Sequence, residues 1–270
     1  MASCGAFHTL AWTEVGELFV LGPGLHFLHQ LEDPAISPQA FDGARVLQAA
    51  GGSGIDCTFS AVVTEDGGLF CFGESGPWLG LGDAAPESQA ASRTPIRVPS
   101  ESFNGHKVTM TSCGAMHQCA ITDSGDVYCW GSGGPRLGLG DQETRTSPSV
   151  LPRNLFADCK VVLVACGGVH TAAVTRLGAL FTWGFGGEGR LGHGDTTMRN
   201  TPTRVRGIGQ RFGSGPLRAR VMTVSGGGYH TAAITEDGQL WTWGQGELEH
   251  MLVGGSAADP CHRVASLLTA

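Results

Sequence analysis

One short pattern of hydrophobic and polar residues recurs along the chain and predicts β-strands. In its clearest copy, VVLVACG (161–167), HTAAVT (170–175) and ALFTWG (179–184) are short apolar or alternating runs separated by glycines. Runs of this length and composition are typical of strands. A further element, PIRV at 95–98 and PTRV at 202–205, suits an outer strand because proline is tolerated at an edge. The pattern therefore predicts four strands per copy.

Five copies are visible. Each copy ends in a closing glycine. The residue 14 positions before that glycine is a histidine in four copies and Phe59 in the second. These closing glycines are spaced by 51, 58, 53 and 60 residues, at Gly22, Gly73, Gly131, Gly184 and Gly244. Periods of this length mark propellers and solenoids, whose repeats bury apolar faces against their neighbours. The sequence thus predicts an all-β β-propeller of four-stranded blades, with about five repeats.

Two further repeated positions predict hairpins and a core. A glycine in every hairpin turn supplies the positive φ that a tight turn requires, at Gly16, Gly67, Gly125, Gly178 and Gly238. The residue before each closing glycine is large and apolar, namely Leu21, Phe72, Trp130, Trp183 and Trp243. We expect these side chains to pack between adjacent sheets, each contributing about 2 to 3 kcal/mol. Residues 1–270 are interpreted as one propeller domain, with repeats centred on 3–22, 50–83, 112–141, 165–195 and 225–255.

Composition narrows the functional classes. A net charge of −7 and the lack of a Lys/Arg run argue against nucleic acid as a direct partner. No apolar run is long enough for a membrane span, and the N-terminus lacks the pattern of a signal peptide, so we expect an intracellular protein, cytoplasmic or nuclear. The nine cysteines include no CxxC pair. Those within predicted strands, such as Cys71, Cys119, Cys129 and Cys166, are interpreted as small free hydrophobes rather than disulfides or metal ligands.

The repeated motifs also carry a family resemblance. G-x-x-H-[TQ]-x-A, a T-x-x-G turn, a W-G closure and L-G-x-G-D, seen most fully at 165–195 and 112–141, resemble the repeats of the regulator of chromosome condensation family. The resemblance implies a propeller and a choice among several functions, including nucleotide exchange on the small GTPase Ran, chromatin binding and interaction domains of ubiquitin ligases and kinases. The chain is also shorter than the family's seven-bladed ring, which would need roughly 400 residues at this repeat period. A fragment, which we favour, a five-bladed or open variant, and a propeller completed by another chain all remain open.

The repeated polar residues are expected to be structural. His8, His117, His170 and His230 are distributed one per blade, too far apart to share a metal ion. We predict buried imidazoles that bridge neighbouring blades through hydrogen bonds to the backbone. Asp83, Asp141 and Asp195 end glycine-rich turns and are predicted to accept local backbone N–H groups. No catalytic, cofactor-binding or metal-binding residue is assigned, and no cofactor is expected.

Two specialised functions of the resembled family are not carried over. Its ultraviolet receptor depends on grouped tryptophans in G-W-R-H-T motifs, whereas Phe7, Met116, Val169 and Tyr229 precede the histidines here. Its chromatin-binding member uses a basic N-terminal tail, which this sequence does not show. Candidate binding residues must therefore lie where the repeats differ.

The two longest intervals between repeats contain 84–105 and 207–220. The second carries Arg211, Phe212, Arg218 and Arg220, and arginine and aromatic residues on loops are frequent interface contacts. Trp78 is a further candidate for partner binding if it is exposed. The sequence predicts a non-enzymatic scaffold that binds protein partners. The alternative is guanine nucleotide exchange on a Ran-like small GTPase, with 207–220 as the segment that disturbs the nucleotide site.

Overall fold

The chain folds into five four-stranded antiparallel sheets. The computed structural model describes residues 1–22, 35–54, 58–82, 92–206, 219–245 and 262–264. Strands follow chain order within every sheet, and each sheet corresponds to one predicted repeat. The predicted all-β fold of four-stranded propeller blades is confirmed.

The strands are numbered in chain order, four to a blade. Blade 1 holds β1 (Ala2–Cys4), β2 (Thr9–Trp12), β3 (Leu18–Leu21) and β4 (Ala35–Ile36). Blade 2 holds β5 (Val46–Gly51), β6 (Phe59–Thr64), β7 (Leu69–Gly73) and β8 (Ser92–Arg97). Blade 3 holds β9 (Val108–Cys113), β10 (His117–Thr122), β11 (Val127–Gly131) and β12 (Arg145–Leu151).

Blade 4 holds β13 (Val161–Cys166), β14 (His170–Thr175), β15 (Leu180–Gly184) and β16 (Arg199–Arg204). Blade 5 holds β17 (Val221–Gly226), β18 (His230–Thr235), β19 (Leu240–Gly244) and β20 (His262–Val264). Short 3-10 helices connect the strands at Pro38–Phe41, Pro77–Leu79, Ser100–Phe103, Pro135–Leu137, Arg153–Phe156 and Gly187–Gly189. As predicted, the proline-containing elements fall in the outer strands β8 and β16.

The chain divides into two compact units. The first, Met1–Gly133 with Glu143–Leu151, contains blades 1 to 3, and the second, Gly134–Gln142 with Pro152–Ala270, contains blades 4 and 5. In the first unit, one apolar cluster joins blades 1 and 2, and another joins blades 2 and 3. In the second unit, a cluster joins blades 4 and 5. Each unit therefore has a core built from the facing sides of successive sheets.

The repeated hairpin glycines adopt the predicted conformation. All five have φ between 76° and 91°. At Gly67 and Gly178 an added Cβ would also lie 2.5 Å from the Cβ of Lys107 and Arg220, respectively. Glycine is thus required both by the turn and by the basic residue that packs over it.

Candidate functional site

The repeat histidines link successive blades within each unit. His8 Nε2 lies 2.9 Å from Ser60 Oγ of blade 2, and His170 Nε2 lies 2.7 Å from Thr231 Oγ1 of blade 5. The bridging role is as predicted, but the partner is a hydroxyl on the second strand of the next blade rather than the backbone.

The hydrogen bonds around Thr231 determine the tautomer of His170. Thr231 Oγ1 donates its one hydrogen to the carbonyl oxygen of Arg190 at 2.8 Å, so His170 Nε2 must donate to Thr231. The other ring nitrogen, Nδ1, is buried and has no hydrogen-bond partner among the described residues. Burial, with smaller effects of Arg190 and His230, lowers the pKa of His170 to about 3. The imidazole is therefore neutral.

The other two repeat histidines differ from each other. His117 is buried, as predicted, whereas His230 is exposed, so the prediction of a buried imidazole is wrong at that position. The difference has a simple cause. His8 and His170 are covered by the strand of a following blade, and no blade follows blade 5 in the described part of the chain.

The repeat tryptophans are fixed by the glycine-rich turn of the preceding repeat. Trp130 is fully buried, and its Nε1 donates to the carbonyl oxygen of Trp78 at 2.9 Å. A Cβ added at Gly80 would lie 2.5 Å from that indole nitrogen. Trp183 and Gly138 repeat the arrangement, and Trp243 and Gly192 share the close approach. The first glycine of the L-G-x-G-D motif therefore admits the indole.

The first repeat departs from this arrangement. Leu21 is 52% exposed, although a buried large apolar side chain was expected there. In the described part of the chain no preceding repeat supplies the turn that would cover it.

Trp78 occupies a structural position rather than the surface. It is 8% exposed, packs against Phe59 with ring centroids 6.0 Å apart, and donates its indole hydrogen to the carbonyl oxygen of Glu74. The equivalent Arg136 and Arg190 lie over aromatic rings of the next repeat. The exposure on which the Trp78 hypothesis depended is not found, because its ring packs against Phe59 of its own blade.

Arg220 also has a repeated structural role. Its Nη2 donates to the carbonyl oxygen of Arg176 in the preceding hairpin at 2.8 Å, and its backbone N–H donates to Glu236 at 3.1 Å. Arg45, at the equivalent position before blade 2, makes the same pair of contacts: its Nη1 donates to the carbonyl oxygen of Glu14 in the preceding hairpin, and its backbone N–H donates to the Glu65 carboxylate. Basic residues at this position tie neighbouring hairpins together. The other residues predicted in this patch, Arg211, Phe212 and Arg218, lie outside the described residues, so their role stays a prediction.

The remaining polar predictions have mixed outcomes. Asp195 Oδ1 accepts the backbone N–H of Thr197 at 2.9 Å, as predicted for a turn-capping carboxylate, and this bond lowers its pKa together with Arg199. Cys119 and Cys129, predicted to be free, instead form a disulfide across β10 and β11. They are directly opposite in register with Cα atoms 4.2 Å apart, which brings the sulfurs together.

A set of exposed apolar side chains follows the repeat. The residue just before the repeat histidine, or before Phe59 in blade 2, is called here the loop-tip residue. It is 42% exposed at Phe7, 37% at Met116 and 55% at Tyr229. The backbone at this position is fixed, because the residue after the closing glycine donates to its carbonyl oxygen, as Ser132 does to Met116 and Gln245 to Tyr229. Met116 and Tyr229 therefore present their side chains on backbone held by this hydrogen bond.

Comparison with protein-family models decides the family. The model of the regulator of chromosome condensation (RCC1) repeat matches residues 66–121, 124–174 and 178–234, and a second model of the same repeat matches 110–134 and 223–248. The chain belongs to the RCC1 repeat family. The resemblance drawn from the sequence motifs is thus confirmed.

Curated relatives place the RCC1 repeats in different proteins. The ultraviolet-B receptor UVR8 of Arabidopsis thaliana is 33% identical over 270 residues, which cover 97% of this chain and 56% of the receptor. The mitochondrial RCC1 domain-containing protein RUG3 of the same plant is 29% identical, covering 89% of this chain and 52% of RUG3. The human E3 ubiquitin-protein ligase HERC2 is 36% identical over 169 residues, only 3% of the ligase. The chain thus spans about half the length of the first two relatives.

Solved structures agree on the fold. Human WBSCR16 superposes with a TM-score of 0.72 at 26% identity, covering 87% of this chain and 57% of WBSCR16. Yeast RCC1 (Prp20), solved bound to Kap60, gives a TM-score of 0.72 at 18% identity, covering 100% of this chain and 61% of Prp20. This RCC1-repeat chain therefore shares the propeller fold of both.

The described residues contain neither a metal-binding cluster nor a membrane-spanning helix. Within the described ranges, no group of three or more His, Cys, Asp and Glu side chains is placed to hold a metal ion. The longest helices described are 3-10 helices of four residues, so none of them has the length or apolarity to cross a membrane.

Proposed function

We propose that this RCC1-repeat chain is a non-enzymatic protein-interaction module whose loop-tip residues contact a protein partner. The observation that carries the proposal is the exposure of Phe7, Met116 and Tyr229 at equivalent places in three blades. A large apolar side chain is not required there by every blade, since Thr58 stands at the same place in blade 2, although the ring of Tyr229 also lies 4.9 Å from the guanidinium of Arg190. Exposed apolar and aromatic side chains on a rigid scaffold favour contact with another protein.

The repeated polar groups support the same proposal. His8 and His170 make blade-to-blade hydrogen bonds, Asp195 caps a turn, and the first glycine of the L-G-x-G-D motif admits an indole ring. These contacts explain the residues that could otherwise be read as reaction chemistry. HERC2 gives a precedent for RCC1 repeats as a small part of a protein whose named activity is ubiquitin ligation.

The loop-tip proposal is tested by partner capture with matched variants. Phe7→Ser with Met116→Ser in the first unit, and Tyr229→Ser in the second, should each reduce the proteins captured from cell extract by the full chain, because the exposed apolar contacts are lost. The controls are Val15→Ser with Val162→Ser and Leu177→Ser alone, which remove side chains exposed by 53% to 69% at other places in the repeat. Equal capture by loop-tip and control variants, with unchanged circular dichroism, would contradict the proposal.

Guanine nucleotide exchange on a small GTPase is the alternative to the scaffold function, and a separate assay distinguishes the two. One solved relative, Prp20p of Saccharomyces cerevisiae, is described with binding properties to Gsp1p and histones. Release of a fluorescent GDP analogue from Ran and from other small GTPases should be unchanged by the folded chain if it acts as a scaffold alone. Acceleration that disappears on replacing Arg211 and Arg218 would instead support exchange through 207–220.

A further inference from the structure

A cleft in blade 4 gathers positive charge on an acidic protein. It has a volume of about 300 Å³ and is lined by His193, Arg199, Thr203, Arg204 and Arg206. We call it the blade-4 cleft. Its residues come from the glycine-rich turn, from the outer strand β16 and from the residues just after that strand.

The repeat shows what is unusual about Arg204. In register, Arg204 lies opposite Phe181 in blade 4, as Arg97 lies opposite Phe70 in blade 2. Arg97 is neutralised there by two carboxylates, Asp42 at 2.8 Å and Asp66 at 2.7 Å. The equivalent arginine of blade 2 is therefore part of a closed ion-pair network.

Both of those carboxylates are missing around Arg204. Asp42 is the left-handed residue that ends a 3-10 helix, and the corresponding residue before blade 4 is Ala157. Asp66 lies one residue before the hairpin glycine, and the corresponding residue of blade 4 is Leu177, which is 69% exposed. Among the described residues, no carboxylate lies within ion-pair distance of Arg204 or Arg206.

Two other positions of the cleft also differ from the other blades. Arg206 stands where blades 2 and 3 have Pro99 and Pro152, and His193 stands where they have Leu81 and Leu139. Positions that repeat serve the fold, so a combination found in blade 4 and replaced in blades 2 and 3 is not required by it. The changes at Ala157 and Leu177 remove negative charge, and Arg206 adds a hydrogen-bond donor. His193 adds none, because its Nε2–H is donated to Thr182 Oγ1, whose own hydrogen goes to the carbonyl oxygen of Leu191.

The charges in the cleft match a dianion. Asp195 pairs with Arg199 at 2.7 Å, so three guanidinium groups and one carboxylate leave about two positive charges. Burial, with a smaller effect of Arg199, lowers the pKa of His193, whose Nε2 lies 3.0 Å from Thr182 Oγ1. The ring is therefore neutral and adds no charge. Planar guanidinium forks are donors suited to the three oxygens of a phosphate monoester, whereas the Thr203 hydroxyl donates its hydrogen to the carbonyl oxygen of Thr201 at 3.1 Å.

We propose that the blade-4 cleft binds a phosphorylated side chain of a protein partner, with Arg204 and Arg206 as the principal phosphate ligands. This inference rests on the proposed function, since a protein partner presents the phosphate. It names a different part of the chain from the loop-tip residues, so the two can fail separately.

The test is fluorescence polarisation with a labelled peptide library of degenerate sequence containing one fixed phosphoserine, and the same library with serine. The full chain should bind the phosphorylated library at least about tenfold more tightly. Arg204→Gln with Arg206→Gln should remove this preference. Lys107→Gln with Lys160→Gln makes the same charge change, and glutamine keeps the Cβ and Cγ with which Lys107 packs over Gly67. This control should retain the preference, because Lys160 precedes β13 at the opposite edge of the blade.

A second variant adds charge instead of removing it. Ala157→Asp with Leu177→Asp recreates around Arg204 the carboxylates that pair with Arg97, and should also remove the phosphate preference while leaving both arginines in place. Inorganic phosphate and phosphatidylserine vesicles should bind more weakly than the phosphopeptides. Tighter binding of either probe, no preference for phosphoserine, or undiminished preference in the Arg204 and Arg206 variant would overturn the inference. If partner capture depends on the loop-tip residues in the same preparations, the proposed function survives that result.

Discussion

Replacing Trp130 by alanine should lower the free energy of unfolding by about 3 to 5 kcal/mol, the usual cost of removing a large buried aromatic side chain. The indole is fully buried, lies 6.2 Å from the ring of Phe103 between centroids, and hydrogen bonds to the carbonyl oxygen of Trp78. Its loss leaves a cavity between blades 2 and 3 and an acceptor without its donor. Urea denaturation followed by circular dichroism measures the change.

Trp130→Phe separates packing from hydrogen bonding. Phenylalanine occupies the equivalent place in blade 2 as Phe72, so this variant keeps a ring and loses the indole donor, at an expected cost of about 1 to 2 kcal/mol. Gly80→Ala should be destabilising as well, because φ at Gly80 is +70° and the new Cβ would meet the indole. A cost below about 1 kcal/mol for Trp130→Ala would show that blades 2 and 3 do not depend on this contact.

The fold could be predicted because a repeat constrains itself. The apolar runs and the P-x-x-V element predicted four strands per repeat, the glycine spacing predicted about five repeats, and five four-stranded blades are found. The repeat also predicted that its histidines bridge neighbouring blades. It did not predict the hydrogen-bond partner, since the hydroxyl that accepts from His170 belongs to Thr231, 61 positions later.

Other features depend on contacts that a linear sequence does not show. The Cys119–Cys129 disulfide follows from cross-strand register, which the count and spacing of cysteines leave open. The structural use of Arg220 becomes visible only beside the same contact at Arg45. The sequence did contain a signal for the blade-4 cleft: Leu177 stands in blade 4 at the position that Asp66 holds in blade 2. That signal acquires meaning only once Arg97 is seen to pair with the missing carboxylate.

Acid should destabilise the second unit through His170. The folded pKa of about 3 lies below the unfolded value of 6.5, so between these pH values the unfolded chain binds a proton that the folded chain excludes. Stability contributed by the neutral imidazole is therefore fully present above pH 6.5 and is lost as the pH falls toward 3. At about 1.4 kcal/mol per unit, the loss is on the order of 4 to 5 kcal/mol.

His170→Phe tests this pH dependence directly. Phe59 stands at the equivalent place in blade 2, so the ring fits the position, and Thr231 still donates to the carbonyl oxygen of Arg190. The variant should be less stable by about 1 kcal/mol at pH 7, because one hydrogen bond is lost. Its free energy of unfolding should fall less steeply below pH 6.5. Plots of this free energy against pH for the native chain and the variant should therefore cross below pH 6.5. Urea midpoints measured from pH 7 to pH 4 give the comparison.

Thr231→Ser is the matched control, because a serine, Ser60, already forms the corresponding hydrogen bond with His8. It keeps the hydroxyl that accepts His170 Nε2–H and should retain the acid-dependent decline of the native chain. The decline comes from Nδ1, which would carry the added proton in a buried position where the described residues offer no acceptor. Equal slopes for the native chain and His170→Phe would mean that water or another group reaches Nδ1. A flattened slope in His170→Phe alone would show that this blade-to-blade bond is held by a neutral imidazole.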